Sequence, residues 1–137
     1  MANYKISDVE GIGPKFAVKL SKAGVRSVNA LLEKGASKKD RKALASVTGI
    51  DESMILKWVN MADLYRVKGI GSEYSELLEK AGVDTVKELA TRRPDNLHAK
   101  MVEVNSSGRP LVRQLPGQKT VQNWVANAKK LSPKVTY

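Results

Sequence analysis

Residues 9–25 of this chain recur as residues 67–83 with nine of seventeen positions identical, and a repeat of that kind constrains the fold more than any bulk property does. Val9-Glu10-Gly11-Ile12-Gly13 leads into Phe16, Leu20 and Ala23-Gly24-Val25. Val67-Lys68-Gly69-Ile70-Gly71 leads into Tyr74, Leu78 and Ala81-Gly82-Val83, at a constant offset of 58 residues. A constant offset means that one supersecondary unit has been duplicated. Each copy is a Gly-apolar-Gly turn that feeds directly into an amphipathic helix. Such a turn leaves main-chain N–H groups unpaired at the positive end of a helix dipole, an arrangement suited to a phosphate.

Apolar residues fall at helical spacing almost throughout: Phe16, Leu20 and Ala23; Ile55, Trp58, Val59 and Ala62; Leu97, Met101 and Val104; Val121, Trp124, Val125 and Ala128. No stretch alternates as a half-buried strand does, so the chain reads as all-α. Helix punctuation agrees. Pro14 suits a first helical position, and Gly24 and Gly82 suit the position just past a helix end. Ser27, Ser37, Asp51 and Thr85 are N-cap residues, Asp95 after Pro94 opens a further helix, and Thr85-Val86-Lys87-Glu88 has the form of a capping box. Phe16, Tyr74, Trp58 and Trp124 are expected in the core.

The repeat continues past the turns. Trp58-Val59 with Ala62 recurs as Trp124-Val125 with Ala128, now 66 residues on, so eight additional residues enter the second copy. Loop-forming residues cluster at Ser106-Ser107-Gly108-Arg109-Pro110, which places an inserted loop near 106–113. The expected domains are 1–66 and 67–137, each of about five short helices, about ten in all. Residues 63–68 contain no Pro, no Gly and no polar run, so the two halves are expected to be rigidly coupled.

With 24 Lys and Arg against 14 Asp and Glu, the net charge is +10, which favours a polyanionic partner. Cysteine is absent, which excludes disulfides, thiolate metal sites and Cys nucleophiles. No apolar run approaches a membrane span, and the N-terminal residues lack the apolar core of a signal peptide. The expectation is a cytoplasmic protein with no membrane contact.

The charge is unevenly divided between the two turns. Residues 11–42 contain nine basic residues (Lys15, Lys19, Lys22, Arg26, Lys34, Lys38, Lys39, Arg41 and Lys42) against Glu33 and Asp40, a net of +7. Lys15, Lys19 and Lys22 form one helical stripe. In the second copy Glu73 replaces Lys15 and Leu77 replaces Lys19. Residues 69–88 carry five acidic residues against two basic ones, a net of −3. The candidate phosphate-binding residues are therefore Gly11, Ile12, Gly13, Lys15, Lys19, Lys22, Arg26 and Lys38. A secondary set consists of Gly69, Gly71, Arg109, Arg113 and Lys119. His98 has no Cys or His partner at ligand spacing and fits a helix-end role. No metal, cofactor or catalytic site is expected.

The string Gly11-Ile12-Gly13-Pro14-Lys15-Phe16-Ala17-Val18-Lys19-Leu20 resembles the helix-hairpin-helix motif of DNA-handling proteins. That resemblance implies duplicated helix-hairpin-helix units of the SAM/RuvA-C-like helical type, with turn amides on DNA phosphates and no base-reading element. Glycosylases of the helix-hairpin-helix kind carry a catalytic Asp beyond the motif, and none follows in matching context here, so no enzyme is expected. The whole chain resembles an uncharacterised bacterial domain-of-unknown-function family of tandem helix-hairpin-helix units. The likeness lies in the two hairpin–Ala-Gly-Val segments, Thr48-Gly49-Ile50, Lys57-Trp58-Val59-Asn60 and Asn96-Leu97-His98-Ala99-Lys100. The functional expectation is non-catalytic, sequence-independent DNA binding. The alternative is a protein-interaction or scaffold module in which both hairpins are structural. The sequence leaves the oligomeric state open.

Overall fold

The structure is a computed structural model that describes residues 5–9 and 11–137; the N-terminal reading of residues 1–4 and Glu10 of the first repeat lie outside it. Among the described residues the chain is all-helical, with a single isolated bridge between Lys5 and Ser27. It divides into two compact units, one of residues up to 63 together with 134–137, the other Leu64–Pro133.

In the first unit a 3-10 turn, Ile6–Asp8, precedes α1 (Pro14–Lys22), α2 (Val28–Gly35), α3 (Lys38–Thr48) and α4 (Glu52–Leu64). The second unit holds α5 (Ser72–Lys80), α6 (Val86–Ala90), α7 (Pro94–Ser106) and α8 (Gln118–Lys129). Each Gly-Ile-Gly turn is preceded by a 3-10 turn in one unit and by non-helical turns in the other. This leaves eight α-helices among the described residues where about ten were expected. Three residues separate α3 from α4 and eleven separate α7 from α8, a difference of eight.

Most of the helix-terminal chemistry is local. Ser27, Ser37 and Thr85 accept from the amides of Ala30, Asp40 and Glu88 at 3.1, 3.1 and 3.3 Å. Pro14 is the first residue of α1. Gly24 and Gly82 take φ of +88° and +93° just past α1 and α5, which a side chain resists. Lys34 Nζ then donates to Ala23 O at 3.4 Å, and Arg92 Nη2 to Gly82 O at 2.8 Å, placing a cation on each helix C-terminus. The capping box at Thr85 is only half made. Glu88 Oε1 takes the Arg92 guanidinium at 3.1 Å instead of reaching back to the cap, because a charged donor offers more than a neutral amide.

Corresponding positions are buried in both units: Ile12 and Ile70, Leu20 and Leu78, Val25 and Val83, Val28 and Val86, Leu31 and Leu89, Ile55 and Val121, Trp58 and Trp124. In the second unit Leu64, Ile70, Leu77, Leu89, Met101 and Trp124 belong to one core, with α6 and α7 packed on α8 and α5 on α7. Phe16 and Tyr74 are half-buried, with ring centroids 5.3 and 5.2 Å from Trp58 and Trp124.

Arg41, which the sequence groups with the cationic surface, is buried at 2% exposure. Its Nη1 donates to Gly35 O and Ala36 O at 2.9 Å each, and its Nη2 to Thr136 O at 2.6 Å. Its charge serves main-chain carbonyls, and the exposed positive charge near the first turn is smaller by one than the composition implies.

Gly35 lies in α2 where a Cβ would stand 2.5 Å from Val59 Cγ2 of α4. Alanine in a helix gains about 1 kcal/mol over glycine, whereas overpacking a filled core costs about 1–3 kcal/mol. At this separation the second effect dominates. Gly35→Ala is expected to lower the urea midpoint by the equivalent of about 1–2 kcal/mol; a midpoint raised above that of the unaltered chain would contradict this packing.

Candidate nucleic-acid interface

The first turn is built so that one side is fixed and the other is open. Gly11 has φ +91°, and the position of its missing Cβ lies 3.4 Å from Trp58 Nε1. Glycine is favoured there by the positive φ, while a Cβ would stand at ordinary contact distance from the indole behind it. Ile12 turns its side chain inward at 4% exposure, and its N–H donates to Val9 O at 3.0 Å. The Ile12 amide is therefore committed to the turn.

Gly13 is different. It is exposed and extended, with φ −81° and ψ −178°, and no atom lies within 4 Å of where a Cβ would stand. It is the N-cap of α1, and Ala17 N–H donates to its carbonyl at 2.9 Å. Pro14 has no N–H. The amides of Gly13, Lys15 and Phe16 find no acceptor among the described residues, as the first turn of a helix dictates.

The charge around these amides comes from α1 and its neighbours. The first turn of α1 contains no acid. Lys15 and Lys22 are exposed, Lys19 is half-buried, and Arg26 is exposed after α1. Lys38 starts α3, where it lines a cavity of about 440 Å³ with Arg41, Asp51, Glu52, Ser53, Leu56 and Tyr137. None of the first-turn residues lines that cavity, and Lys38 shares it with the carboxylates Asp51 and Glu52.

The second turn repeats the backbone with other surroundings. Gly69 has φ +94° and its missing Cβ would stand 3.2 Å from Trp124 Nε1; Ile70 N–H donates to Val67 O at 3.1 Å. Gly71 is the N-cap of α5 and is half-buried. The first turn of α5 carries Glu73, whose carboxylate raises the cost of bringing a phosphate near. Leu77, in the place of Lys19, is wholly buried.

The loop between α7 and α8 is held over this unit by three side chains that the sequence does not single out for the task. Asn105 Oδ1 accepts from Leu111 N and Val112 N at 2.8 and 3.1 Å, while its Nδ2 donates to Val112 O at 3.3 Å. Tyr74 donates its hydroxyl to Gln114 O at 3.0 Å. His98 Nε2 donates to Pro116 O at 2.9 Å, which places the ring proton on that nitrogen. The only advance signal was the hydroxyl itself: Tyr74 stands where the first copy, which lacks the loop, has Phe16.

Arg113 lines a cavity of about 500 Å³ together with Glu73, Asn105, Pro110, Leu111 and Val112, so its cation shares space with a carboxylate. Arg109 and Lys119 are exposed, and Lys119 lies in the acid-free first turn of α8. No group of three or more His, Asp or Glu residues suited to a metal occurs among the described residues, and no helix there is long and apolar enough to cross a membrane.

A family model described as "Domain of unknown function (DUF4332)" matches residues 10–131, nearly the whole chain. The chain belongs to that family. No match is found among curated proteins or among solved structures.

The contrast between Gly11 and Gly13 is measurable. Gly11→Ala forces an L-residue to positive φ against Trp58 and is expected to destabilise by about 1–3 kcal/mol. Gly13→Ala meets open space at an ordinary φ and loses only the N-cap preference, at most about 1 kcal/mol. Thermal or urea unfolding of the two variants checks the order; equal losses would contradict it.

Proposed function

We propose that this member of the family is a non-catalytic protein that binds the phosphate backbone of DNA without sequence preference, through the first Gly-Ile-Gly turn. In this reading both turns are helix-hairpin-helix elements, and the first is the one that meets nucleic acid. The observation that carries it is Gly13, an exposed glycine whose φ and surroundings do not require glycine, at the head of a helix whose first amides find no acceptor among the described residues and whose first turn is free of acid. A phosphate oxygen approaching Gly13, Lys15 and Phe16 N–H would meet no side chain at position 13.

Lys15, Lys19 and Lys22 supply charge along α1, with Arg26 as an exposed neighbour. Lys38, beside Asp51 and Glu52, contributes less on this reading, and Ile12 acts as the anchor of the turn, not as a donor. The second turn, with Glu73 in its helix and Gly71 half-buried, is assigned a structural part. The same features favour a protein-interaction role for the second unit. A chain without cysteine, and with no membrane-length helix among its described residues, fits a cytoplasmic setting.

Fluorescence anisotropy with a random-sequence duplex tests the proposal. Binding in the micromolar range is expected at ~0.1 M salt, with log K falling against log salt with a slope of about −3 for three to four phosphates. Lys15→Glu combined with Lys19→Glu is expected to weaken binding by about a hundredfold or more while helicity by circular dichroism is unchanged. Gly13→Ala is expected to weaken it severalfold at little cost in stability. A flat salt response, or full binding by the double-charge variant, would remove the first turn from the interface. Absence of binding together with a stable protein partner would favour the scaffold alternative.

A further inference from the structure

We infer that the indole N–H of Trp58 is a hydrogen-bond donor to a phosphate oxygen, reached through the gap that Gly11 leaves in the first turn. The inference rests on the reading of that turn as a phosphate site, and it adds a side-chain donor to the main-chain amides.

The direction of the indole follows from a few distances. A Cβ on Gly11 would stand 3.4 Å from Trp58 Nε1 and, its two chain neighbours aside, would meet no other atom of the described residues within 4 Å. The two ring carbons bonded to Nε1 therefore lie beyond 4 Å as well. An atom placed over the ring face would be nearly as close to those carbons as to the nitrogen. The spot beside Gly11 is thus met by the N–H edge of the indole. Gly69 and Trp124 repeat the relation at 3.2 Å, again with Nε1 the one such atom within 4 Å.

Trp58 is 2% exposed, and a buried indole N–H ordinarily finds an acceptor. Here the ring packs on Phe16, and Nε1 has no acceptor among the described residues. Nor is it one of the polar atoms sealed away without a partner, so solvent reaches the nitrogen itself. Phenylalanine would bring an aromatic ring to this place with no donor to satisfy. What the tryptophan adds is an N–H aimed out through the turn.

The neighbouring donors suit the same ligand. Ile12 N–H is committed to Val9 O, but the amides of Gly13, Lys15 and Phe16 find no acceptor among the described residues. The Cα atoms of Gly11 and Gly13 are at most about 7 Å apart, so one phosphodiester and its neighbour can meet both sets of donors. An indole differs from a lysine in kind. It strengthens binding without releasing a counterion, and so leaves the salt dependence unaltered. In the second copy the indole is in place, but Glu73 holds the position of Lys15 and disfavours an anion.

Two tryptophans give two indole signals in the nitrogen–proton spectrum of the isotope-labelled chain, and Trp58→Phe or Trp124→Phe assigns them. The unaltered chain is titrated with a random-sequence duplex and, separately, with inorganic phosphate. With duplex the Trp58 indole signal is expected to move downfield saturably, at the same midpoint as the amides of Gly13 and Lys15, while that of Trp124 stays in place. Amides that move while the Trp58 indole stays still would overturn this inference and leave the proposed function standing. Movement of Trp58 with inorganic phosphate, but of nothing with duplex, would keep the indole as a donor and remove DNA as the source of the phosphate. No movement with either probe, or equal movement of both indoles, would overturn the inference. Trp58→Phe is expected to weaken duplex binding about tenfold with an unaltered slope against log salt. Full affinity in the folded variant would remove the donor role.

Discussion

Each Gly-Ile-Gly turn is held in place by an indole from behind. Trp58 and Trp124 arrive from the last helix of their units and set Nε1 3.4 and 3.2 Å from where Gly11 and Gly69 would carry a Cβ. Phe16 and Tyr74 pack on the same two indoles from the helix that follows the turn. Turn, following helix and final helix are thereby tied together by one aromatic contact, although each tryptophan lies far along the chain from its turn. The isoleucine seals the turn from within. In the first unit what remains outside is the second glycine of the triplet, Gly13, with the amides at the head of the helix, whereas Gly71 is half-buried.

On that common frame the two copies diverge in what they show to solvent. Pro14, Lys15, Phe16 and Lys19 become Ser72, Glu73, Tyr74 and Leu77. The changes are physically coherent. A leucine in place of Lys19 is wholly buried where α5 packs on α7. A hydroxyl in place of a hydrogen on the aromatic ring gives the longer α7–α8 loop an anchor at Gln114. A carboxylate at the head of α5 steadies the helix through its dipole and repels anions from the same spot. One unit retains an open cationic turn, and the other gives that surface over to helix packing and a tethered loop.

The helices, most of their caps and the buried stripe were legible because their causes are local: a 3.6-residue period, a proline at a first position, a serine three residues ahead of the amide it caps. The exposure of the first turn followed from the same logic. Arg41 was not legible. It sits in Lys38-Lys39-Asp40-Arg41-Lys42, a run that reads as solvated surface, and of the carbonyls it serves two lie at the irregular end of α2 and the third belongs to Thr136, 95 positions away. The half-made box at Thr85 failed for a nearer reason, since Arg92 competes for Glu88 from the next turn. Asn105 and His98 were invisible as loop anchors because their acceptors and donors lie in irregular chain with no periodicity to place them.

Magnitudes limit what a single turn can do on the proposed reading. The amides and dipole at one helix end favour an anion by about 0.3–1 kcal/mol at an exposed site. An exposed lysine 4 Å from a phosphate adds about 1 kcal/mol in high dielectric. Non-specific DNA binding at physiological salt needs roughly 5–8 kcal/mol, so one such turn with two or three lysines, at about 2–4 kcal/mol for a single phosphate, falls short of that range. Affinity must come from several phosphates met together, and it must fall steeply with salt. Buried Arg41 and the Lys34 ammonium, already held by Ala23 O, are therefore poor contributors despite their charge. The useful cations are those with no main-chain acceptor of their own, which on α1 are Lys15, Lys19 and Lys22. Position 13 then supplies what no lysine can: a glycine there lets the phosphate come close enough for the amides to matter at all.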